Sequence, residues 1–151
     1  VRSRGLGDVY KRQVMIHKFA VDCSMRNIHF EYDVKLCNLN EVEDIDLVAI
    51  LGNLIDNAVS AAEKSREKRV SLATARRNAY SVIVISNSCD AQPKTSGTHL
   101  VTSKENKSAH GFGLKSVRKT LRKYNGDYEW TYDANRCLFV VTAMVGSHSP
   151  V

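Results

Sequence analysis

Apolar and polar residues recur along this chain in patterns that predict three helices and five strands. The longest pattern covers Ile45 to Lys64, where apolar side chains at helical spacing occupy more than half of the helix circumference. Two shorter helices are predicted over 14–25 and 114–124, and Asn125-Gly126 is expected to end the second. The predicted strands, marked by alternation or by short apolar runs, are 27–34, 69–75, 80–86, 127–132 and 137–145.

The order of these elements predicts an α+β fold. The polar turn 76–78 joins two strands directly, so these strands are expected to pair antiparallel. We predict a two-layer α/β sandwich: a mixed, mostly antiparallel sheet of about five strands, with about three helices on one face. The segment 87–109 is rich in Ser, Thr, Lys and Asn and is unusually long for a connection, which predicts a lid over a functional site.

The chain length of 151 residues and a hydrophobic content of 43% are typical of one globular domain. Residues 1–13 are basic and show no clear period, so we interpret them as a non-native, adaptor-derived or disordered stretch. The domain is expected to cover 14–146, followed by a flexible end at 147–151. No apolar run approaches the roughly 20 residues that span a bilayer, so the chain itself is not expected to be a membrane anchor.

The net charge of +6 is compatible with nucleic acid, an acidic partner or a polyphosphate ligand. Neither basic cluster, 66–77 or 104–123, contains the interleaved aromatic residues of a single-strand binding surface, so we predict no nucleic-acid partner. The four cysteines form no CxxC pair and follow no signal peptide. They are therefore expected to be reduced, buried, small hydrophobic residues in a cytosolic compartment.

Two groups of residues indicate a chemistry. Four polar side chains of the long helix fall on one narrow stripe: Asp46, Asn53, Asn57 and Ser60. Asparagine is a mediocre helix former, so Asn53 and Asn57 are expected either to bond neighbouring backbone or to offer neutral oxygen ligands to Mg²⁺. Gly111 and Gly113 leave backbone N–H groups bare at a helix N-terminus, where an anion such as phosphate binds. Phosphate donors together with a magnesium site suggest ATP.

Three motifs in this order resemble the GHKL ATP-binding family, whose architecture is the Bergerat fold and whose members include histidine kinases, gyrase-type topoisomerases and MutL proteins. The motifs are Asn53-x-x-x-Asn57-Ala58, Val84-Ile85-Ser86-Asn87-Ser88 and His110-Gly111-x-Gly113-Leu114. The Asn87-Ser88 pair, Thr102 to Lys104 and the run His110 to Val117 are similar to the AgrC-like quorum-sensing kinases. The resemblance covers about 14–145.

The resemblance implies a role for each matching residue. Asn57 becomes the principal magnesium ligand and Asn53 a second metal or phosphate contact. Asn87 stands where the wider family has its adenine-reading aspartate, with Asp90 as the alternative reader. The remaining implied ATP contacts are His110, Gly111, Phe112, Gly113 and Leu114.

Ser60 departs from the family pattern, because many members have a basic residue just after the helix asparagines. Lys104 and Lys107 of the predicted lid are therefore our candidates for neutralising the phosphates. His110 is expected either to donate to a phosphate or to cap the glycine turn.

Asn53 separates two kinds of reaction. In the ATP-hydrolysing branches of the family a glutamate at this place acts as general base on water, and an amide cannot accept that proton. The resemblance therefore implies the catalytic domain of a two-component sensor histidine kinase, with no certain catalytic residue of its own. The expected ligands are ATP and Mg²⁺, and the expected partners are a dimerisation segment with the phosphoacceptor histidine and a response regulator.

The expected location is cytoplasmic, with membrane attachment only through segments absent from this sequence. The alternatives are a serine kinase of the anti-sigma-factor type and a nucleotide-gated binding module without catalysis.

Overall fold

The computed structural model describes residues 6–93, 95–96, 99–100 and 113–146. Three α-helices lie in these ranges: α1 at Leu6–Met25, α2 at Asp44–Glu63 and α3 at Gly113–Arg122. A single 3₁₀ turn in the same ranges, Leu36–Leu39, precedes α2. The helix bounds agree with the sequence patterns for α2 and α3 within one or two residues.

Five strands form the main sheet in the order β1-β2-β3-β7-β6. Their bounds are β1 His29–Asp33, β2 Arg69–Arg77, β3 Tyr80–Ser88, β6 Asp127–Asp133 and β7 Leu138–Val145. β1 is parallel to β2, and the other three pairs are antiparallel. The predicted α+β architecture, a mixed five-stranded sheet with three helices, is therefore confirmed.

The core lies between α2 and one face of the sheet. Ile83 and Ile85 of β3 are buried and lie opposite Ala143 and Val141 of β7. α2 packs over this face, against β3 and β2. Eight α2 residues are buried: Leu47, Ile50, Leu51, Leu54, Ile55, Ala58, Val59 and Ala62. By length and composition alone α2 could cross a membrane, but this burial in the core accounts for its apolar character.

The N-terminal helix is longer than the sequence pattern indicated. α1 begins at Leu6 rather than at Val14. The side chain of Arg12 is buried, and its guanidinium donates to the carbonyl oxygens of Leu39 (2.9 Å) and Val42 (2.7 Å) and to Asp44 Oδ1 (2.8 Å). Polar contacts, not an apolar stripe, hold this first part of the helix, which explains why hydrophobic periodicity missed it. The non-native origin of residues 1–13 stays a prediction.

The connection after β3 begins two residues later than the sequence predicted. Asn87 and Ser88 belong to β3 itself, and a small hairpin follows in which β4, Thr95–Ser96, pairs with β5, His99–Leu100. Strands of two residues leave too short a pattern to be recognised in a sequence. Most of the rest of the predicted lid lies outside the described residues.

The end of α3 follows the signal carried by Asn125-Gly126. Asn125 adopts a left-handed conformation (φ 55°), its N–H donates to the Arg122 carbonyl, and the Gly126 N–H donates to the Leu121 carbonyl. These bonds form a Schellman motif in which asparagine, not glycine, is the left-handed residue. Glycine is needed next because a Cβ at position 126 would lie 1.9 Å from the backbone oxygen of Met144 in β7.

Replacing Gly126 by alanine is therefore expected to lower the free energy of unfolding by about 3 kcal/mol or more, because only backbone could move to relieve the clash. Urea denaturation of the two proteins measures the loss. Gly52→Ala is the matched control, since a Cβ there meets nothing within 4 Å. The free energy of unfolding of that control is expected to rise by about 0.5–1 kcal/mol. Equal stabilities for Gly126→Ala and the parent chain would contradict the close approach.

Candidate functional site

The two helix asparagines lie on the side of α2 that faces α3. Asn53 and Asn57 are both half-buried. Neither side-chain amide hydrogen-bonds another residue within the described ranges. The sequence left open whether these amides bond neighbouring backbone or bind a metal ion. Bonds to neighbouring backbone are not observed in the described ranges, so the amide oxygens are available to a ligand.

The first residue of α3 completes this arrangement. Gly113 is buried against the asparagines, so that a Cβ at this position would lie 3.4 Å from Asn57 Nδ2, 3.6 Å from Asn57 Oδ1 and 3.8 Å from Asn53 Oδ1. A helix N-terminus presents free N–H groups and the positive end of the helix dipole. The structure thus brings the amides of α2 and the anion-binding end of α3 to one place.

The opposite end of α3 is fixed to α2 by a buried tyrosine. Tyr124 is 1% exposed, its hydroxyl donates to Asp46 Oδ2, and the Glu43 N–H donates to the same hydroxyl at 3.1 Å. Lys123 Nζ also contacts Asp46 Oδ1 at 3.2 Å. Since Gly113 lies beside Asn57 and Tyr124 bonds Asp46, the two helices run antiparallel. Asp46, a member of the predicted polar stripe, therefore positions α3.

Burial, followed by the hydrogen bond to Asp46, raises the pKa of Tyr124 to about 12. A tyrosine in the unfolded chain ionises near its ordinary pKa of about 10. Between about pH 10 and 12 the unfolded state therefore binds fewer protons than the folded state, and stability falls as pH rises.

A Tyr124→Phe variant should lack this contribution to the pH dependence. We expect the free energy of unfolding of this variant to be about 1–2 kcal/mol lower at neutral pH, because the half-buried Asp46 loses the hydroxyl that donates to its Oδ2. At pH 11 its deficit should be smaller by about 1.4 kcal/mol, because the parent chain has by then lost about one pH unit of the tyrosine contribution. Denaturation curves at pH 8 and pH 11 test this, and a deficit that is equal at both pH values would refute the assignment.

Asn87, the predicted adenine reader, lies at the end of β3 on the face that the helices cover. It follows Ile83 and Ile85 in the inward-facing row and is only 4% exposed. Its Nδ2 donates to the Ser88 carbonyl at 3.0 Å. In the described part of the chain its Oδ1 has no hydrogen-bond partner, so that oxygen is available as an acceptor.

The alternative reader, Asp90, already has a structural partner. Its Oδ2 accepts the backbone N–H of Arg66 at 2.9 Å, just beyond the C-terminus of α2. Ser88 adds a second link to the same place, since its hydroxyl lies 2.6 Å from that of Ser65. Both contacts connect sheet and helix across a wide sequence separation, and no local signal could have identified them.

Five other predicted contacts, Lys104, Lys107, His110, Gly111 and Phe112, lie outside the described residues. Leu114, by contrast, is half-buried and packs against the hydrophobic core. Its side chain thus helps to hold the first turn of α3, and only its backbone N–H remains as a ligand contact.

The donor set of the site suits a magnesium ion that arrives with phosphate. Asn53 and Asn57 offer neutral amide oxygens, while the nearest carboxylate on the stripe, Asp46, is engaged by Tyr124 and Lys123. Mg²⁺ is usually bound by one or two protein oxygens together with water and substrate phosphates. A metal held here would therefore depend on the nucleotide for most of its charge compensation.

A mixed sheet covered by helices, with helix asparagines facing a glycine-initiated helix, defines a nucleotide-binding class of α+β domains. Residues 42–145 match the family profile described as the GHKL domain, so the chain belongs to the GHKL family of ATP-binding domains. No curated protein matches the chain.

Solved structures that resemble this chain include histidine kinases. The catalytic domain of histidine kinase ThkA matches with a TM-score of 0.64 and 17% identity, covering 89% of this chain and 92% of that one. A second structure of the same ThkA domain gives a TM-score of 0.65 and covers 89% of this chain and 93% of that one. Histidine kinase AdeS of Acinetobacter baumannii matches with a TM-score of 0.61 and 13% identity over 91% of this chain, which spans 65% of the AdeS chain. At these identities the likeness concerns the fold.

Proposed function

We propose that this domain is the catalytic part of a two-component sensor histidine kinase. In this proposal it binds Mg-ATP and orients the γ-phosphorus toward a histidine on a separate dimerisation segment. The observation that carries the proposal is the approach of Gly113 to the amides of Asn53 and Asn57, because it unites an anion site and neutral metal ligands. Phosphoryl transfer needs mainly such positioning and electrostatic stabilisation.

The choice of a kinase over a hydrolase depends on Asn53. Its amide has no lone pair basic enough to remove a proton from water, so an attacking water has no general base at this place. The γ-phosphate is then retained for a better nucleophile. Slow phosphate release from ATP by this chain would support the proposal.

The finer assignment is a quorum-sensing kinase of the AgrC-like group. Its support is the motif His110 to Val117 and the Asn87-Ser88 pair, in which Asn87 takes the place of the adenine-reading aspartate. In such a kinase the domain is cytoplasmic, its parent is anchored in the membrane by other segments, and a response regulator receives the phosphoryl group.

Incubation of the chain with γ-labelled ATP tests the kinase assignment. Because no phosphoacceptor segment is recognisable in the sequence, we expect bound nucleotide, little released phosphate and no label on the chain itself. Stable label on the chain would refute this, and fast phosphate release would favour a hydrolase. Label that moves to a protein partner and survives acid would indicate the serine-kinase alternative, because phosphohistidine is acid-labile. Partner binding that survives loss of ATP binding would exclude the nucleotide-gated module.

A further inference from the structure

The cysteines do not follow the expectation that all four are buried. Cys23 is buried, but Cys37 is exposed, and Cys89 and Cys137 are half-buried. Cys89 directly follows β3, and Cys137 is the last turn residue before β7. Their positions depend on the register of strands far apart in sequence, which composition and spacing do not reveal.

Cys89 and Cys137 lie opposite each other at the end of a strand ladder. The last pair in the β3–β7 register is Ser88 with Leu138, so the next step outward places Cys89 opposite Cys137. The Cys89 N–H donates to the Cys137 carbonyl at 2.8 Å and continues the ladder. Directly opposed residues in an antiparallel pair have Cα atoms about 4.5–5.5 Å apart. A separation of this size lies within the range of about 4.4–6.8 Å that a disulfide bridges, although Cys137 itself has a left-handed backbone (φ 50°) and not an extended one.

Tyr132 in β6 holds the start of the segment that follows β3. Its hydroxyl donates to the Cys89 carbonyl at 2.8 Å. Within the described ranges each thiol makes one local contact: Cys89 Sγ donates to the Ala91 carbonyl at 3.0 Å, and Cys137 Sγ donates to the Ala134 carbonyl at 3.7 Å. Such weak thiol contacts are easily given up for a covalent bond.

We propose that Cys89 and Cys137 form a reversible intramolecular disulfide when the domain meets a low-molecular-weight disulfide oxidant. One cysteine thiolate attacks the oxidant, forms a mixed disulfide and releases one small thiol. The second cysteine then attacks the mixed disulfide at the protein sulfur and releases the other small thiol. The protein thiols lose two protons and two electrons, and the oxidant is reduced to two thiols.

The chemistry of the pair indicates a slow, regulatory bond. Burial raises the pKa of the Cys89 thiol, which keeps it mostly protonated at neutral pH. A disulfide that forms slowly and is reduced again by cellular thiols responds to sustained oxidation and not to brief exposure.

The proposed bond lies next to the candidate adenine site. Asn87 is two residues before Cys89, and Asp90, which anchors the chain to Arg66, comes directly after it. Bond formation requires Cys89 Sγ to leave the Ala91 carbonyl, and it ties the segment between Asn87 and Asp90 covalently to the start of β7. On the basis of the proposed nucleotide site, we expect oxidation to raise the Kd for ATP about fivefold.

Peptide mapping of the full chain, after incubation with oxidised glutathione and alkylation of remaining thiols, tests the bond. Trypsin separates the four cysteines, because Cys89 falls in 78–94, Cys137 in 137–151, Cys23 in 19–26 and Cys37 in 36–64. We expect a linked 78–94/137–151 pair that is two hydrogen atoms lighter than the sum of the free peptides. Dithiothreitol should abolish it. The same pair should appear in Cys37→Ser, the matched control, and be absent from Cys137→Ser.

Separate glutathione adducts on Cys89 and Cys137, or links that involve Cys23 or Cys37, would overturn the disulfide. Fluorescence titration with an ATP analogue, before and after oxidation, tests the coupling, with Cys137→Ser as the variant that should not respond. An unchanged affinity in the linked protein would overturn the coupling. Failure of both redox forms to bind nucleotide would instead count against the proposed function, while the peptide map would still decide the disulfide.

Discussion

An Asn57→Ala variant is expected to lose at least about 100-fold in affinity for Mg-ATP while remaining folded. The side chain supplies an amide oxygen beside the N-terminus of α3, and its loss would remove the proposed principal magnesium ligand. Asn57 is half-buried and has no hydrogen-bond partner among the described residues, so its truncation should cost little stability. Calorimetric titration with ATP, in magnesium and in EDTA, measures the effect.

Asp56→Ala is the matched control for this variant. Asp56 neighbours Asn57 in sequence but is exposed and lies off the polar stripe. It should retain the affinity of the parent chain to within about threefold, as expected for a surface change away from the ligand. If Asn57→Ala bound ATP as tightly as Asp56→Ala, the assignment of the metal ligand would be wrong.

Gly113→Val is the second change with a large expected effect. A Cβ at this position just fits, at 3.4–3.8 Å from three amide atoms of Asn53 and Asn57, but each valine methyl extends about 1.5 Å further. At least one methyl must displace an amide from the place where a ligand would be bound. We expect ATP affinity to fall about 10- to 100-fold, measured by the same titration, with a smaller loss in the free energy of unfolding.

Two variants separate this effect from the cost of changing a helix glycine. Gly113→Ala adds only the Cβ, which makes ordinary contacts, and is expected to lower affinity by less than about fivefold. Gly52→Val makes the same substitution in α2 where a Cβ meets nothing within 4 Å, and ATP binding should be unchanged. Equal losses in Gly113→Val and Gly52→Val would indicate a general helix effect and contradict the close packing of α3 on the asparagines.

The fold could be predicted because its main elements each carry a local pattern. The apolar stripe of α2 and the runs in β2, β3 and β7 are long enough to show their period, and the Asn125-Gly126 signal ended α3 as expected. The nucleotide interpretation required the amide face of the long helix and the glycine pair to converge, and the structure places Asn57 and Gly113 together. Their roles toward ATP and Mg²⁺ stay predictions.

What the sequence did not reveal depends on contacts between distant segments. Arg12 is held by carbonyl groups near Leu39 and by Asp44, so the first turns of α1 have no apolar period to detect. The pairing of Ser65 with Ser88 and the opposition of Cys89 and Cys137 arise only from strand register and helix packing.

The most direct test of the shared site is a nuclear magnetic resonance titration of the ¹⁵N-labelled chain with ATP and magnesium. The largest shift changes are expected at the side-chain NH₂ groups of Asn53, Asn57 and Asn87 and at the backbone N–H of Gly113. They should appear together at one-to-one stoichiometry and weaken strongly when magnesium is removed. Changes confined to other surfaces, or none at saturating ATP, would show that the asparagines of α2 and the start of α3 do not bind the nucleotide.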